Sequence, residues 1–265
     1  MSTSHGPVGI ITGAGSGIGA ACAREFGRLG AQLSLASLAT PGLQDTVASV
    51  AQAGGSAHAV EMDVRDARAV QALVDDTVQR FGRLDFLLAN AGIADQELAS
   101  EADPNVWRTL IETNLLGAMY CVRYALPHMQ RQRAGHILLM ASLSGRDAYV
   151  GEPAYIASKW GLVGFGHSVR KEVGQYNIRV TLIEPGAVDT PLTRNSPKVR
   201  PLIEAINPLQ PDDIARAVVF AYQQPEHVVI TELGLRPLNQ PDAFKYQKPC
   251  SLKTDGYRGN TLGAA

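Results

Sequence analysis

Short apolar bursts, many of them β-branched, alternate along this chain with longer stretches whose apolar residues recur at helical spacing. The bursts are Val8–Ile11, Gln32–Leu35, Ala57–Met62, Leu84–Ala89, His136–Ala141, Arg179–Ile183 and Val228–Thr231. Each suits a strand buried on both faces, although a short buried helix has the same composition. Between them, Gly17–Leu29, Leu43–Ala53, Ala67–Phe81 and Asp212–Tyr222 are rich in Ala, Leu, Gln, Arg and Glu. In the last of these, Ile214, Val218 and Ala221 fall on one helical face. Asp103-Pro104 reads as an N-cap with proline in the first turn, opening a helix that runs toward Met129. Strand–helix alternation predicts a parallel sheet, because parallel neighbours need right-handed crossovers and helices supply them on both faces. The expected fold is α/β, a single-domain, doubly wound, parallel seven-stranded sheet of Rossmann type over residues 1–237. From Pro237 onward periodicity is lost among three prolines and three glycines, so 238–265 is expected to be an irregular C-terminal tail.

Composition narrows the partners. Hydrophobic residues make up 45% of the 265, enough for a sizeable core, and the 24 Lys plus Arg nearly cancel the 25 Asp plus Glu. A net charge of −1 exerts no pull toward nucleic acid or an anionic membrane, which leaves a small-molecule substrate as the expected partner. Met1-Ser-Thr-Ser-His lacks the basic and apolar segments of a signal peptide, and no apolar run reaches the roughly 18 residues of a membrane span. Cys22, Cys121 and Cys250 are odd in number and form no CxxC, so neither disulfides nor a metal site is expected, and a cytoplasmic setting is.

Thr12-Gly13-Ala14-Gly15-Ser16-Gly17-Ile18-Gly19 follows the first burst and opens the first helix. Glycines there let the backbone turn sharply and approach a pyrophosphate seated on the helix N-terminus. Taken alone the loop is equally a tight turn; its place between first strand and first helix gives it weight. This TGxxxGxG form resembles the short-chain dehydrogenase/reductase family, and the resemblance continues along roughly residues 7 to 235. Asp63-Val64 is similar to that family's adenine-contacting pair, and Asn90-Ala91-Gly92 to its NAG motif. Asn114, Ser142, Tyr155 and Lys159 match its catalytic Asn, Ser and YxxxK in order and spacing, while Pro185-Gly186, with Val188 and Thr190, resembles the segment gripping the nicotinamide. The resemblance implies NAD(P) as cofactor, bound by Gly13, Ser16, Gly17, Ile18, Gly19 and Ser37 together with those segments and with Tyr155 and Lys159. It further implies a homodimer or homotetramer, for which the apolar, glycine-rich stretch Trp160–Phe165 is suited. Lys159 is implied to bind the cofactor ribose, and Asn114 to hold a water linking Lys159 to solvent.

Tyr155 and Lys159, four apart on a helix, share a face. A free tyrosine has a pKa near 10, and lowering it by about three units takes roughly 4 kcal/mol, which one ammonium about 4 Å away supplies at an effective dielectric near 20. Tyr155 is thus expected to exchange the proton of the reacting oxygen, with Ser142 hydrogen-bonding that oxygen. The alternative is a catalytically silent cofactor binder of the same fold. The stretch Pro191–Leu209 is expected to form a lid, with Leu143, Ala187, Leu192 and Ile203 as an apolar wall. Arg146, Arg194, Lys198 and Arg200 are ordinary solvated cations or, alternatively, recruit an acidic substrate group. Neither cofactor has its usual partner. Ser37 stands where NAD users of the family carry an acid, and Leu38 and Ser16 where NADP users carry a base, so with Ser37 and Thr40 as neutral partners the preference is left open. Arg24 and Arg65 are the cations able to tip it by folding toward the ribose.

Overall fold

A computed structural model describes residues 6–38 and 41–240. Thr40, Cys250 and the tail aromatics Phe244, Tyr246 and Tyr257 lie outside the described residues.

Seven parallel strands form one sheet in the order β3-β2-β1-β4-β5-β6-β7. They are β1 (Val8–Thr12), β2 (Gln32–Ser37), β3 (Ser56–Glu61), β4 (Phe86–Ala89), β5 (Gly135–Met140), β6 (Ile178–Pro185) and β7 (Glu232–Leu235). Successive strand residues enter opposite cores, as the pleat requires. Ile10, Leu87 and Leu139 pack with Val70, Val122 and Leu162, whereas Ile11, Leu88 and Leu138 pack with Phe26, Val50 and Ile214. Burial on both faces is why these strands read as continuous apolar bursts and not as alternating ones. Helices α1 (Gly17–Gly27), α2 (Pro41–Ala53) and α9 (Pro211–Tyr222) cover the second core; α3 (Ala67–Phe81), α5 (Gly117–Gln132) and α6 (Pro153–Val173) cover the first.

Local signals set the helix ends. Asp66 Oδ1 accepts from the amides of Arg68 and Ala69 to start α3, and Gly82, at φ 76°, ends it. Asp103 caps α4 (Pro104–Ile111) through the Asn105 amide, with Pro104 in the first turn, as the sequence predicts. The helix does not run unbroken to Met129, however. A π-helical turn at Glu112–Leu116 interrupts it and joins α4 to α5; such turns shift the side-chain register locally and gather at functional sites.

The last strand departs from expectation. Val228–Thr231 is not a strand; β7 lies four residues later and pairs Glu232–Leu235 with Leu182–Pro185 of β6. Thr181 Oγ1 bonds the Ile230 carbonyl at 2.6 Å, so the apolar run is a lead-in anchored to β6. As an edge strand β7 alternates exposed and half-buried residues and lacks the apolar signature of its inner neighbours.

Two further short helices, α7 (Pro191–Arg194) and α8 (Arg200–Ala205), sit between β6 and α9 and overhang the carboxyl ends of the strands. β1 pairs with both β2 and β4 and so marks the topological switch point, where sheets of this kind open a crevice. No helix among the described residues is long and apolar enough to cross a membrane.

Candidate active site

The crevice is built from the ends of β1 and β4. Thr12, buried at the end of β1, accepts the amides of Asn90 and Ala91 on Oγ1 at 3.0 and 3.1 Å. Asn90 returns its side-chain amide to the carbonyls of Thr12 and Gly13 at 2.9 and 3.3 Å. Those four bonds stitch the glycine loop to the NAG segment. Gly13 adopts φ +65°, where a side chain is strained, and a Cβ there would lie 2.8 Å from Ala91 Cα. Gly19 faces inward, and a Cβ on it would meet the Gly13 carbonyl at 2.3 Å. Its part is therefore to let α1 close on the loop; unlike Gly13, Ser16, Gly17 and Ile18, it does not line the cavity. The Ser16 side chain makes no capping bond, leaving the first amides of α1 to an outside acceptor.

A cavity of about 280 Å³ lies over this loop, lined also by Ser37, Asn90, Ala91, Gly92, Ser142, Tyr155, Lys159, Pro185, Gly186, Val188 and Thr190. An adjoining cavity of about 210 Å³ continues past Ser37 to Asp63, Val64 and Arg65. The pair of lobes, with a glycine cradle and free helix amides at their junction, fits a dinucleotide. Every residue implied for cofactor binding lines one lobe or the other except Gly19. Arg65 is held by Asp63 through Nη2 at 2.6 Å and Nε at 2.8 Å, and Arg24 is paired with Asp212, so neither folds back as a free cation.

A third cavity, about 100 Å³, adjoins the first and shares Ser142, Tyr155, Pro185, Gly186 and Leu192 with it. Of the expected apolar wall, Leu143, Ala187 and Leu192 line it, and Ile203 does not; Val199 and Leu202 of the lid take that place. None of Arg146, Arg194, Lys198 and Arg200 lines it. Arg146 bridges Glu184 and Glu232 at 2.9 and 2.7 Å, and Arg194 holds Asp189 at 2.6 Å, so their charges are spent on carboxylates. An acid-recruiting role has no support in this geometry. Sequence reasoning missed Gln96, Glu152 and Gln240, which do line the cavity. Glu152 had a signal: it stands directly before Pro153, at the start of the helix that carries Tyr155.

Ser142 lies two residues past β5, and its hydroxyl accepts the Ser144 amide at 3.1 Å, capping the 3₁₀ turn Leu143–Gly145. Lys159, 5% exposed, donates to the Met140 carbonyl at 2.9 Å, and its Nζ lies 5.6 Å from the centre of the Tyr155 ring. The expected depressed phenol is not what this geometry sets. Burial pushes the Tyr155 hydroxyl up to about 12, against a smaller opposing pull from the Ser142 hydroxyl. Burial also pushes the Lys159 ammonium down to about 8. The desolvation cost of each charge exceeds what they give one another at this separation.

Asn114 is 1% exposed and lines neither cavity. Its Oδ1 accepts the Ile93 amide at 2.8 Å, and its Nδ2 donates to the Ile93 carbonyl at 2.9 Å and to Ser158 Oγ at 3.2 Å. Both side-chain donors are thus used in clamping the loop after β4 to α6. An Asn inside a helix would ordinarily be solvated; the π-helical turn carries this one inward.

Comparison with known proteins agrees with this geometry. The short chain dehydrogenase family model matches residues 7–200. An uncharacterized oxidoreductase of Staphylococcus saprophyticus is 35% identical over 234 residues, 87% of this chain and 97% of that protein. The crystal structure of levodione reductase superposes with a TM-score of 0.82 at 30% identity, covering 88% of this chain and 96% of that one. A metagenomic short-chain oxidoreductase in complex with NADP gives a TM-score of 0.77 at 32% identity, covering 90% of this chain and 100% of that one. With the crevice and the sequence in agreement across most of its length, the chain belongs to the short-chain dehydrogenase/reductase family of NAD(P)-dependent enzymes.

Proposed function

We propose that the protein transfers a hydride between NAD(P) and a secondary alcohol or ketone of a small molecule, with Tyr155 exchanging the proton of the reacting oxygen. The observation that carries this reading is that Tyr155 and Ser142 stand on the wall shared by the dinucleotide-shaped crevice and the apolar cavity beside it. A carbonyl in the small cavity has the phenol and the Ser142 hydroxyl as its donors on one side and the crevice on the other. In reduction Tyr155 gives its proton to that oxygen; in oxidation it takes the alcohol proton. Ser142 steadies the charge that develops on the oxygen. Lys159 presents a cation to the phenol and to the cofactor ribose. Asn114 acts through the Ile93 loop and Ser158 as a positioning residue. A bound nicotinamide supplies or accepts the hydride, and in its oxidised form its positive ring favours the phenolate.

A recycling screen of ketones and secondary alcohols tests the reaction with both cofactors. Reduction of at least one ketone is expected, and cofactor binding without turnover across the panel would favour the silent alternative. Catalytic efficiencies with NAD(H) and NADP(H) are expected to differ by less than about 100-fold, or about 2.8 kcal/mol. Ser37 offers a neutral hydroxyl to either ribose, and Arg65 lines the adenine lobe with its charge already matched by Asp63. Among the described residues a 2′-phosphate finds no free cation and a ribose diol no free carboxylate at this lobe, losses of similar size. A ratio beyond about a thousand either way would refute that balance.

The expected homodimer or homotetramer has a face available on α6. Trp160 is 52% exposed, and Gly164, one turn on, has nothing within 4 Å of a built Cβ. Light scattering at micromolar concentration is expected to give a multiple of 28.3 kDa; a monomer alone would rule out pairing.

A further inference from the structure

Glu152 occupies the N-cap position of α6, yet its side chain makes no capping bond. The carboxylate turns into the small cavity, where Oε1 accepts from Gln96 Nε2 at 2.7 Å. The direction of that bond is fixed from the lid: Ser196 donates from Oγ to Gln96 Oε1 at 2.7 Å, so the Gln96 amide nitrogen faces Glu152. No Lys, Arg or His among the described residues pairs with Glu152, and Gln96 is its one hydrogen-bond donor there. Glu152 and Tyr155 both line this cavity; burial pushes the Glu152 carboxyl above its usual range, and its charge opposes ionisation of Tyr155. A carboxylate can accept about four hydrogen bonds. Half-buried and met by one amide donor, this one keeps acceptor capacity for a group that enters the cavity beside Leu143, Leu192 and Leu202.

Resting on the reaction assigned above, we propose that Glu152 sets the substrate class: an alcohol or ketone bearing a second hydrogen-bond donor, a hydroxyl or an ammonium, apart from the reacting carbon. The reacting oxygen meets Tyr155 and Ser142, the carbon skeleton meets the leucines, and the second donor meets Glu152. Gln96 holds the carboxylate in place, and through Ser196 it ties that contact to the lid.

The test measures binding to the cofactor-loaded protein by calorimetry, so it does not depend on turnover. The probes are cyclohexanol, the isomeric cyclohexanediols and the aminocyclohexanols. At least one donor-bearing probe is expected to bind at least about tenfold tighter than cyclohexanol, as one hydrogen bond to a charged acceptor gives. In Glu152→Leu that advantage is expected to fall below about threefold. The isosteric Glu152→Gln separates the sources: a hydroxyl keeps much of its advantage against a neutral carbonyl, whereas an ammonium loses it. Equal wild-type affinities, or an advantage that survives Glu152→Leu, would overturn the proposal. Turnover of the same probes reports separately on the reaction: donor-dependent binding without turnover removes the reaction and leaves the contact, and turnover without discrimination does the reverse.

Discussion

Tyr155→Phe is expected to lower turnover at least about 100-fold, the usual worth of positioned acid–base catalysis, with cofactor affinity little changed. The substitution keeps the ring, its packing and its place 5.6 Å from Lys159 Nζ, and removes only the hydroxyl. With the phenol pushed up to about 12, roughly one molecule in 100,000 is ionised at pH 7, so the protein by itself presents a proton donor. Bringing that pKa to neutrality takes about 7 kcal/mol. One ammonium supplies about 4 kcal/mol even at about 4 Å with an effective dielectric near 20, so the remainder has to come from charge that arrives with the cofactor. The signs for the two directions then differ. Ketone reduction, which uses the protonated phenol, is expected to show no requirement for Tyr155 ionisation from pH 6 to 9. Alcohol oxidation, which needs the phenolate, is expected to accelerate as pH rises. Stopped-flow turnover in both directions checks this, and a variant with near wild-type rates would remove Tyr155 from the mechanism.

The parts of the fold that were legible in the sequence are those whose physics is local or doubly buried. Ile10-Ile11 and Leu87-Leu88 each send neighbours into opposite cores, so β1 and β4 are apolar without interruption. Asp66, Gly82 and Asp103-Pro104 carry their own start and stop chemistry. The edge strand β7 was misplaced because Val228–Thr231 carries the apolar residues while the ladder is made by Glu232–Leu235. At the site, the family resemblance pointed to Ser142, Tyr155 and Lys159, and the four-residue spacing put the last two on one helix face. It did not give the sign of their pKa shifts, since desolvation depends on what surrounds a group in space. Nor did it show that Asn114 spends its amide on Ile93 and Ser158, because a π-helical turn has no sequence signature of its own. Gln96 and Glu152 meet across 56 residues of chain, a pairing that periodicity cannot supply.

Lys159→Met is expected to abolish the advantage that high pH gives the wild-type fold, while slowing turnover at least about 100-fold, comparable to the loss of one preorganised electrostatic group. In the native protein burial brings the ammonium down to about 8, whereas the unfolded chain holds that proton to about 10.5. Between those pH values the unfolded state binds more protons, so stability from this group rises with pH. Below about pH 8 the full cost of a buried ammonium is present, on the order of 3 kcal/mol, and it is relieved as pH climbs to 10.5. Methionine fills a similar volume without the charge and also leaves the Met140 carbonyl without its donor, a loss of about 1–3 kcal/mol. At pH 7 relief and loss therefore nearly offset, and the two proteins are expected to unfold at similar urea concentrations. The difference between their pH profiles is the cleaner quantity, since every other titrating group is common to both. Wild type is expected to gain about 3 kcal/mol on the variant from pH 7 to 10.5. Parallel profiles would mean that Lys159 is not held as a buried cation, and the charge assigned to it beside Tyr155 would have to be withdrawn.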